Sequence, residues 1–387
     1  MKLLIVIPSF HPAVIYGGPI FTSLHTAQAL AELGLEVRVS TTNANMTKRL
    51  DIEPNIWHKQ QDNLFVKYYN ESIINKFSFK LLLGLWKDIK NADVIHIQGL
   101  FSYPIPIALF YAKILKNKVL LTPHGTLGAW CLSSGSRLKP FWLRWLIQPF
   151  NSKITWHATA EMEKSEILSV FPDVNVEVIA NGIKRHEFEN YDILTSYEFV
   201  KKYTNQEFGV DKIIVSMGRL QKKKGFDILI DSFVEVLRIY PNSILCIAGQ
   251  DEGEKANLLL QIKRLNLAKK VYLVGQISGQ DKVDFLANAD VFVLPSHNEN
   301  FGIVFAESLA AGTPIVASKN TPWEEVEIAD CGKWVDNKII PTSQAIIEVL
   351  SKDREQMRIQ SKKLSEKYYW DNIAQQFVKI FNVMKAN

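Results

Sequence analysis

Short runs of β-branched and apolar residues, each stopped by a polar or glycine-containing turn, recur at residues 3–7, 37–41, 64–68, 94–97, 119–122 and 155–159. Between most of them lie longer stretches with apolar positions three and four apart, the spacing of one helix face. The alternation predicts a parallel sheet covered by helices. A second series starts at 212–216 and continues at 243–248, 271–274 and 289–294. With 387 residues, two α/β domains fit better than one core. No repeat or low-complexity tract interrupts them.

The stretch 294–318 carries the most chemistry. Pro295 stops a strand, residues 296–300 are polar, and Phe305, Leu309 and Ala310 recur at helical spacing. Glu299 therefore falls in a loop at a helix N-terminus and Glu307 within the helix. A helix start offers backbone N–H groups and partial positive charge, which suits phosphate, and the amides near Phe301, Gly302 and Ile303 can supply it. A carboxylate in that loop can accept from two sugar hydroxyls, and a second one two turns on can do the same for a ribose. The plainer alternative is a helix cap followed by a solvated helix-face charge.

Other candidates also sit at the carboxyl ends of strands, where open α/β sheets bind ligands. Gly17-Gly18-Pro19 opens a helix ending near Gly34, and as a lone glycine pair it would be an ordinary turn. The loop is no dinucleotide fingerprint, since G-x-G-x-x-G is absent and no acidic residue ends the second strand. His124 stands in Pro123-His124-Gly125-Thr126 after the fifth run; isolated, it would also fit a structural role. Arg219 is a fork donor and Lys224 a point charge, and together they can neutralise a diphosphate. Three successive lysines, Lys222, Lys223 and Lys224, would on their own be a solvated loop.

Glu299-x7-Glu307, with Asn300-Phe301-Gly302 inside it and Gly312-Thr313-Pro314 after it, resembles the signature of the retaining GT-B glycosyltransferases of family 4, the group 1 enzymes of bacterial polysaccharide assembly. The likeness extends over nearly the whole chain. It implies two Rossmann-like parallel-sheet domains facing across a cleft: an acceptor-binding domain at 1–185 and a nucleotide-sugar-binding domain at 186–369. Residues 370–387, with Tyr369-Trp370, Phe377 and Ile380, resemble the last helix, which crosses back to the first domain. Asn181-Gly182-Ile183 resembles the end of that domain, with a linker near 184–210 that lacks a clear period; helices are expected to fill the chain after Pro322.

The resemblance also implies site roles. Arg219 and Lys224 match a Gly-Arg-Leu…Lys-Gly motif that holds the donor diphosphate, and His124 would reach the donor sugar. Glu299 would contact sugar hydroxyls and Glu307 the ribose, with Asn300, Phe301, Gly302 and Ile303 beside them. Ile277 would wall the base, and Gly17 and Gly18 would lie over phosphates or acceptor. The implied reaction moves a hexose from a nucleotide diphosphate sugar to a glycan or polyprenyl-linked acceptor with retention. No cofactor and no metal are expected, and no Asp-x-Asp is present. A ribose-holding Glu cannot also attack the anomeric carbon, so the glycosidase scheme does not carry over. An epimerase or phosphorylase on the same fold, and a non-catalytic sugar-nucleotide-binding subunit, are the competing readings. UDP-glucose, UDP-galactose and GDP-mannose are equally open as donors.

Charge changes the picture little. A net charge of +5 suits anionic donors or lipid head groups but is too small to imply nucleic acid. Cys131, Cys246 and Cys331 have neither pairing nor metal-like spacing, as in a reduced cytoplasmic protein. Residues 1–8 read as a strand rather than a leader, and the apolar window 99–115 is too short to span a bilayer. Arg137, Lys139 and Arg144 alternate with Phe141, Trp142 and Trp145. Segment 137–153 is expected either to touch the inner face of the plasma membrane or to pack its Trp residues inward.

Overall fold

In β1 (Lys2–Ser9), Leu3, Ile5 and Ile7 point to one face of the sheet and Leu4 and Val6 to the other, and all five are buried. A strand covered on both faces needs such an unbroken apolar run. The computed structural model describes residues 1–72, 77–133 and 136–386. The chain divides into one unit of Met1–Gly182 with Trp370–Asn387 and another of Ile183–Tyr369.

The first unit continues with β2 (Glu36–Thr42), the small hairpin β3 (Ala44–Asn45) and β4 (Lys48–Arg49), β5 (Trp57–Gln61), β6 (Leu64–Tyr69), β7 (Val94–Gln98), β8 (Lys118–Thr122), β9 (Ile154–Ala158) and β10 (Asn175–Val178). Eight of these form one sheet in the order β10-β9-β8-β7-β1-β2-β6-β5, parallel except for β5. Helix Gly18–Glu32 and the final helix Trp370–Ala386 cover one face; Phe79–Lys90 and Pro104–Leu115 cover the other. The strand order turns back between β1 and β7.

The second unit is a six-stranded parallel sheet. Its strands are β11 (Lys212–Met217), β12 (Ser243–Ala248), β13 (Val271–Gly275), β14 (Val291–Leu294), β15 (Ile315–Ser318) and β16 (Gly332–Val335), in the order β13-β12-β11-β14-β15-β16. Here the order turns back between β11 and β14, so the loops after these two strands diverge and leave a crevice.

Sequence periodicity misses several elements. β5 is an edge strand whose His58, Lys59, Gln60 and Gln61 need no apolar run. β16, also at an edge, corrects the expectation of helices alone after Pro322. The 184–210 segment is likewise structured: Thr195 and Glu198 form a reciprocal capping box that starts helix Ser196–Thr204, satisfying two orphan N–H groups. Window 99–115 yields the helix Pro104–Leu115, and no helix among the described residues is long and apolar enough to cross a membrane.

Segment 137–153 winds as successive short helical pieces, Lys139–Trp142, Leu143–Ile147 and Gln148–Lys153. Its two Trp residues differ in burial. Trp142 packs inward and its Nε1 donates to the Leu100 carbonyl at 3.0 Å, while Trp145 is 59% exposed beside an exposed Phe141. The Lys139 ammonium turns to the Cys131 carbonyl.

Candidate active site

The crevice of the second unit is built by two close approaches. After β11 the chain runs through Gly218-Arg219-Leu220 into one turn, Lys222–Lys224, and then Gly225. Gly225 has φ +68°, and a Cβ there would lie 2.2 Å from the Pro295 carbonyl oxygen. Only glycine fits so twisted and crowded a position. The contact seats the loop after β11 against the loop after β14, and the His297 N–H donates to the Lys223 carbonyl at 2.8 Å. From the other side, Ser318 Oγ donates to the Ser296 carbonyl at 2.6 Å, and the Glu299 N–H to the Asn320 carbonyl at 3.2 Å.

Across that seam Lys224 Nζ meets Glu299 Oε2 at 2.6 Å, with side chains only 13% and 15% exposed. The stem of Lys224 passes over the turn before Arg219: its Cε would lie 3.2 Å from a Cβ on Gly218. The structure thus brings Lys224, Glu299 and the Gly218-Arg219 turn together. Arg219 itself is 56% exposed and pairs with Glu252 at 2.9 Å, so its guanidinium is screened by water. Lys222 pairs with Asp227 at the surface.

Gly302, at φ +73°, caps the helix Ile303–Ala310, so the amides of Ile303 and the next residue open that helix beside Glu299. Phe301 contributes backbone here, since its ring is buried against Trp323 and Tyr368 and its carbonyl accepts from Trp323 Nε1 at 2.6 Å. Asn300 sits between Glu299 and this anchor, half-buried. Glu307 is not left in solvent: its Oε1 accepts from Lys282 Nζ at 2.6 Å, and both are largely buried. Lys282 belongs to helix Gln280–Ala287, which follows half-buried Ile277 after β13. Two shielded lysine–carboxylate pairs therefore flank one helix.

Sequence reasoning missed Lys282 and Glu252. Both come from elements far along the chain, and only the sheet order assigns them as partners.

Gly17, Gly18 and His124 belong to the first unit. Gly17, at φ +82°, ends the loop after β1, and Gly18 opens the helix Gly18–Glu32. His124 follows β8 in a left-handed conformation, φ +56°, which costs a non-glycine residue of order 1–3 kcal/mol and concentrates at functional sites. The turn is held by Glu163, whose carboxylate accepts from the Gly125 N–H at 2.5 Å and from the Thr159 N–H at 2.7 Å. His124 Nε2 meets Gln98 Oε1 at 2.5 Å. Desolvation, then the neighbouring His157, pushes His124 down to about 3, so it is neutral near pH 7.

Two largely parallel sheets, each with one reversal of strand order, define a class of fold, and solved structures share it. A sucrose-phosphate synthase from Thermosynechococcus elongatus aligns over 100% of this chain and 99% of its own, with TM-score 0.73 and 19% identity. Anabaena HepE, solved in complex with UDP, aligns over 99% and 100% with TM-score 0.74 and 15% identity. The fold is GT-B.

Residues 16–187 match glycosyltransferase family 4 and residues 201–365 match glycosyl transferases group 1. The chain belongs to this family. An uncharacterized glycosyltransferase of Methanocaldococcus jannaschii is 37% identical over 232 residues, 57% of each chain; the match spans little more than half the length of that relative.

Proposed function

We propose that the protein is a retaining hexosyltransferase that moves a sugar from a nucleotide diphosphate donor to a glycan or lipid-linked glycan hydroxyl, without a metal. The observation that carries this reading is the Lys224–Glu299 pair across the β11/β14 crevice. The family match supports the activity, and the UDP bound by Anabaena HepE supports the donor class.

In this reading the leaving diphosphate takes the place of the Glu299 carboxylate at Lys224, joined by Arg219 swinging from Glu252 and by the amides opening helix Ile303–Ala310. Each charged contact in a water-poor site contributes a few kcal/mol to stabilising the departing oxygens. Glu299, released from Lys224, accepts sugar hydroxyls with Asn300 beside it. Glu307, oriented by Lys282, accepts from the ribose diol, and Ile277 lies against the base. The first unit provides the acceptor side, with Gly17 and Gly18 near phosphate or acceptor and His124 on the sugar. With no carboxylate assigned as nucleophile, the acceptor hydroxyl attacks from the face the diphosphate leaves, and a diphosphate oxygen takes its proton.

The exposed Trp145 and Phe141 beside Arg137 and Arg144 fit an acceptor carried on a membrane surface, which would place the protein at the cytoplasmic face of that membrane and in exopolysaccharide or O-antigen-type synthesis. A thermal-shift screen of UDP-glucose, UDP-galactose and GDP-mannose, followed by NMR of the product anomer, tests the reading. One donor should stabilise the chain and give a product of the donor's own configuration. Nucleotide release dependent on free phosphate, or binding without turnover, would overturn it.

A further inference from the structure

A cavity of about 970 Å³ opens in the first unit at the amino ends of β8 and β9 and against the edge strand β10, and none of Gly17, Gly18 or His124 lines it. Two local patterns make it. On the final helix, Phe377 and Phe381 pack against His96 of β7. The neighbouring stripe of Gln376, Lys379, Ile380 and Val383, spaced three and four apart, is thereby turned to the cavity. On the sheet, Leu120 of β8 pairs with Thr155 of β9, and Thr155 with Asn175 of β10. Paired residues share a face, and every second residue along a strand returns to it. Lys118, Thr155, Asn175 and Glu177 therefore stand on the face that the final helix covers. A sheet face closed by a helix is apolar; this corner is polar, and Val383 beside it is still 55% exposed.

The walls carry one sign of charge. Lys113 and Lys116 come from the end of helix Pro104–Leu115, Lys118 from the start of β8, Lys153 from the turn before β9 and Lys379 from the final helix. Glu177 is the only carboxylate among the described residues that line the cavity. No ion pair among the described residues engages any of the five lysines, whereas Lys385, farther along the final helix and outside the cavity, pairs with Asp93 at 3.3 Å. Cations at a helix end also answer its dipole, but that accounts for Lys113 and Lys116 alone. Like charges around a concave wall focus the field and favour an anion.

A bare anion would leave the rest of the wall unused. Ile154, Val178, Ile380, Val383 and Met384 line it too, and the volume suits an organic molecule rather than an ion. The chemistry is that of a phosphate joined to an apolar tail, with Thr155 and Glu177 able to bind hydroxyls between them.

We propose that this cavity binds the head group of an anionic phospholipid, with its phosphate on the lysines, its hydroxyls on Thr155 and Glu177, and the first carbons of its tails against Ile380 and Val383. This lipid is a ligand and not the sugar acceptor, since the residues assigned to donor and acceptor in this unit stand outside the cavity. The site rests on neither sugar transfer nor the Trp145 contact.

Calorimetric titration of the full-length protein tests it, with dihexanoyl phosphatidylglycerol held below its micelle concentration, dihexanoyl phosphatidylcholine and glycerol phosphate as probes. Phosphatidylglycerol should bind saturably at one site, and more weakly as salt rises. Phosphatidylcholine, which has no net charge, and glycerol phosphate, which has no tail, should each bind at least about tenfold more weakly. Lys116→Glu with Lys379→Glu, both at exposed positions, should abolish binding without moving the melting temperature of the free protein. Lys153→Glu, on a different element, should weaken it by itself, and Val383→Ser should lower lipid affinity several-fold. No binding of phosphatidylglycerol, equal binding of phosphatidylcholine, or lysine variants that bind as the wild type does would overturn the proposal. Glycerol phosphate binding as tightly as the lipid would make this a site for a free organic phosphate and overturn the lipid assignment. Binding is read without a sugar donor, so absence of sugar transfer would sink the preceding reading and leave this one standing.

Discussion

Replacing Glu299 by Ala leaves the Lys224 ammonium in the β11/β14 crevice with its carboxylate gone and its side chain only 13% exposed. Breaking a fully buried pair in this way costs about 3–5 kcal/mol. Some water reaches both partners here, so about 1–3 kcal/mol is expected, roughly 2–12 °C in melting temperature at about 2–4 °C per kcal/mol for a domain of this size. A diphosphate in the crevice would neutralise the stranded charge. Thermal melts with and without saturating UDP or GDP should therefore show a larger nucleotide-induced rise in Glu299→Ala than in the wild type, even as sugar transfer falls. Adding Lys224→Met should recover much of the lost stability and abolish the extra rise. A Glu299→Ala variant that melts with the wild type, or gains nothing more from nucleotide, would refute the claim that Lys224 alternates between carboxylate and diphosphate.

Three further outcomes follow from the geometry. Gly225→Ala sets a Cβ 2.2 Å from the Pro295 carbonyl at φ +68° and should cost about 3 kcal/mol or more, read by chemical denaturation. Burial holds His157 down to about 4, below its unfolded value of 6.5. The unfolded chain thus binds more protons, and stability should be fully present above pH 6.5 and fall toward pH 4 by up to about 1.4 kcal/mol per pH unit for this ring; a flat profile across that window would contradict the burial of His157. Charge reversal of Arg137 and Arg144 with Trp145→Ser should lower sedimentation with anionic vesicles several-fold, and equal binding would remove the membrane contact. Lys139 is left alone in that design because its ammonium serves the Cys131 carbonyl.

Much of this site is legible in the chain because its residues stand where apolar runs stop. Lys224 follows β11 and Glu299 follows β14, and strands buried on both faces announce themselves by composition alone. Their partners are hidden for a physical reason: Lys282 and Glu252 become neighbours of Glu307 and Arg219 only through the order in which strands pair. The edges β5 and β16 escape because a strand with one open side carries polar residues. Gln98 and His157 sit inside apolar strands and read as strand positions, so nothing in the sequence marks them as neighbours of His124. The capping box Thr195-x-x-Glu198 was available as a helix start, but it stands in a stretch without apolar period.

Amide hydrogen exchange of the full-length protein, with and without the nucleoside diphosphate that stabilises it, bears most directly on the crevice of the second unit. Binding there should slow exchange at residues 218–225 and 299–307 while leaving helix Arg354–Ser365 unchanged. Protection elsewhere, with those two stretches exchanging as before, would contradict the account.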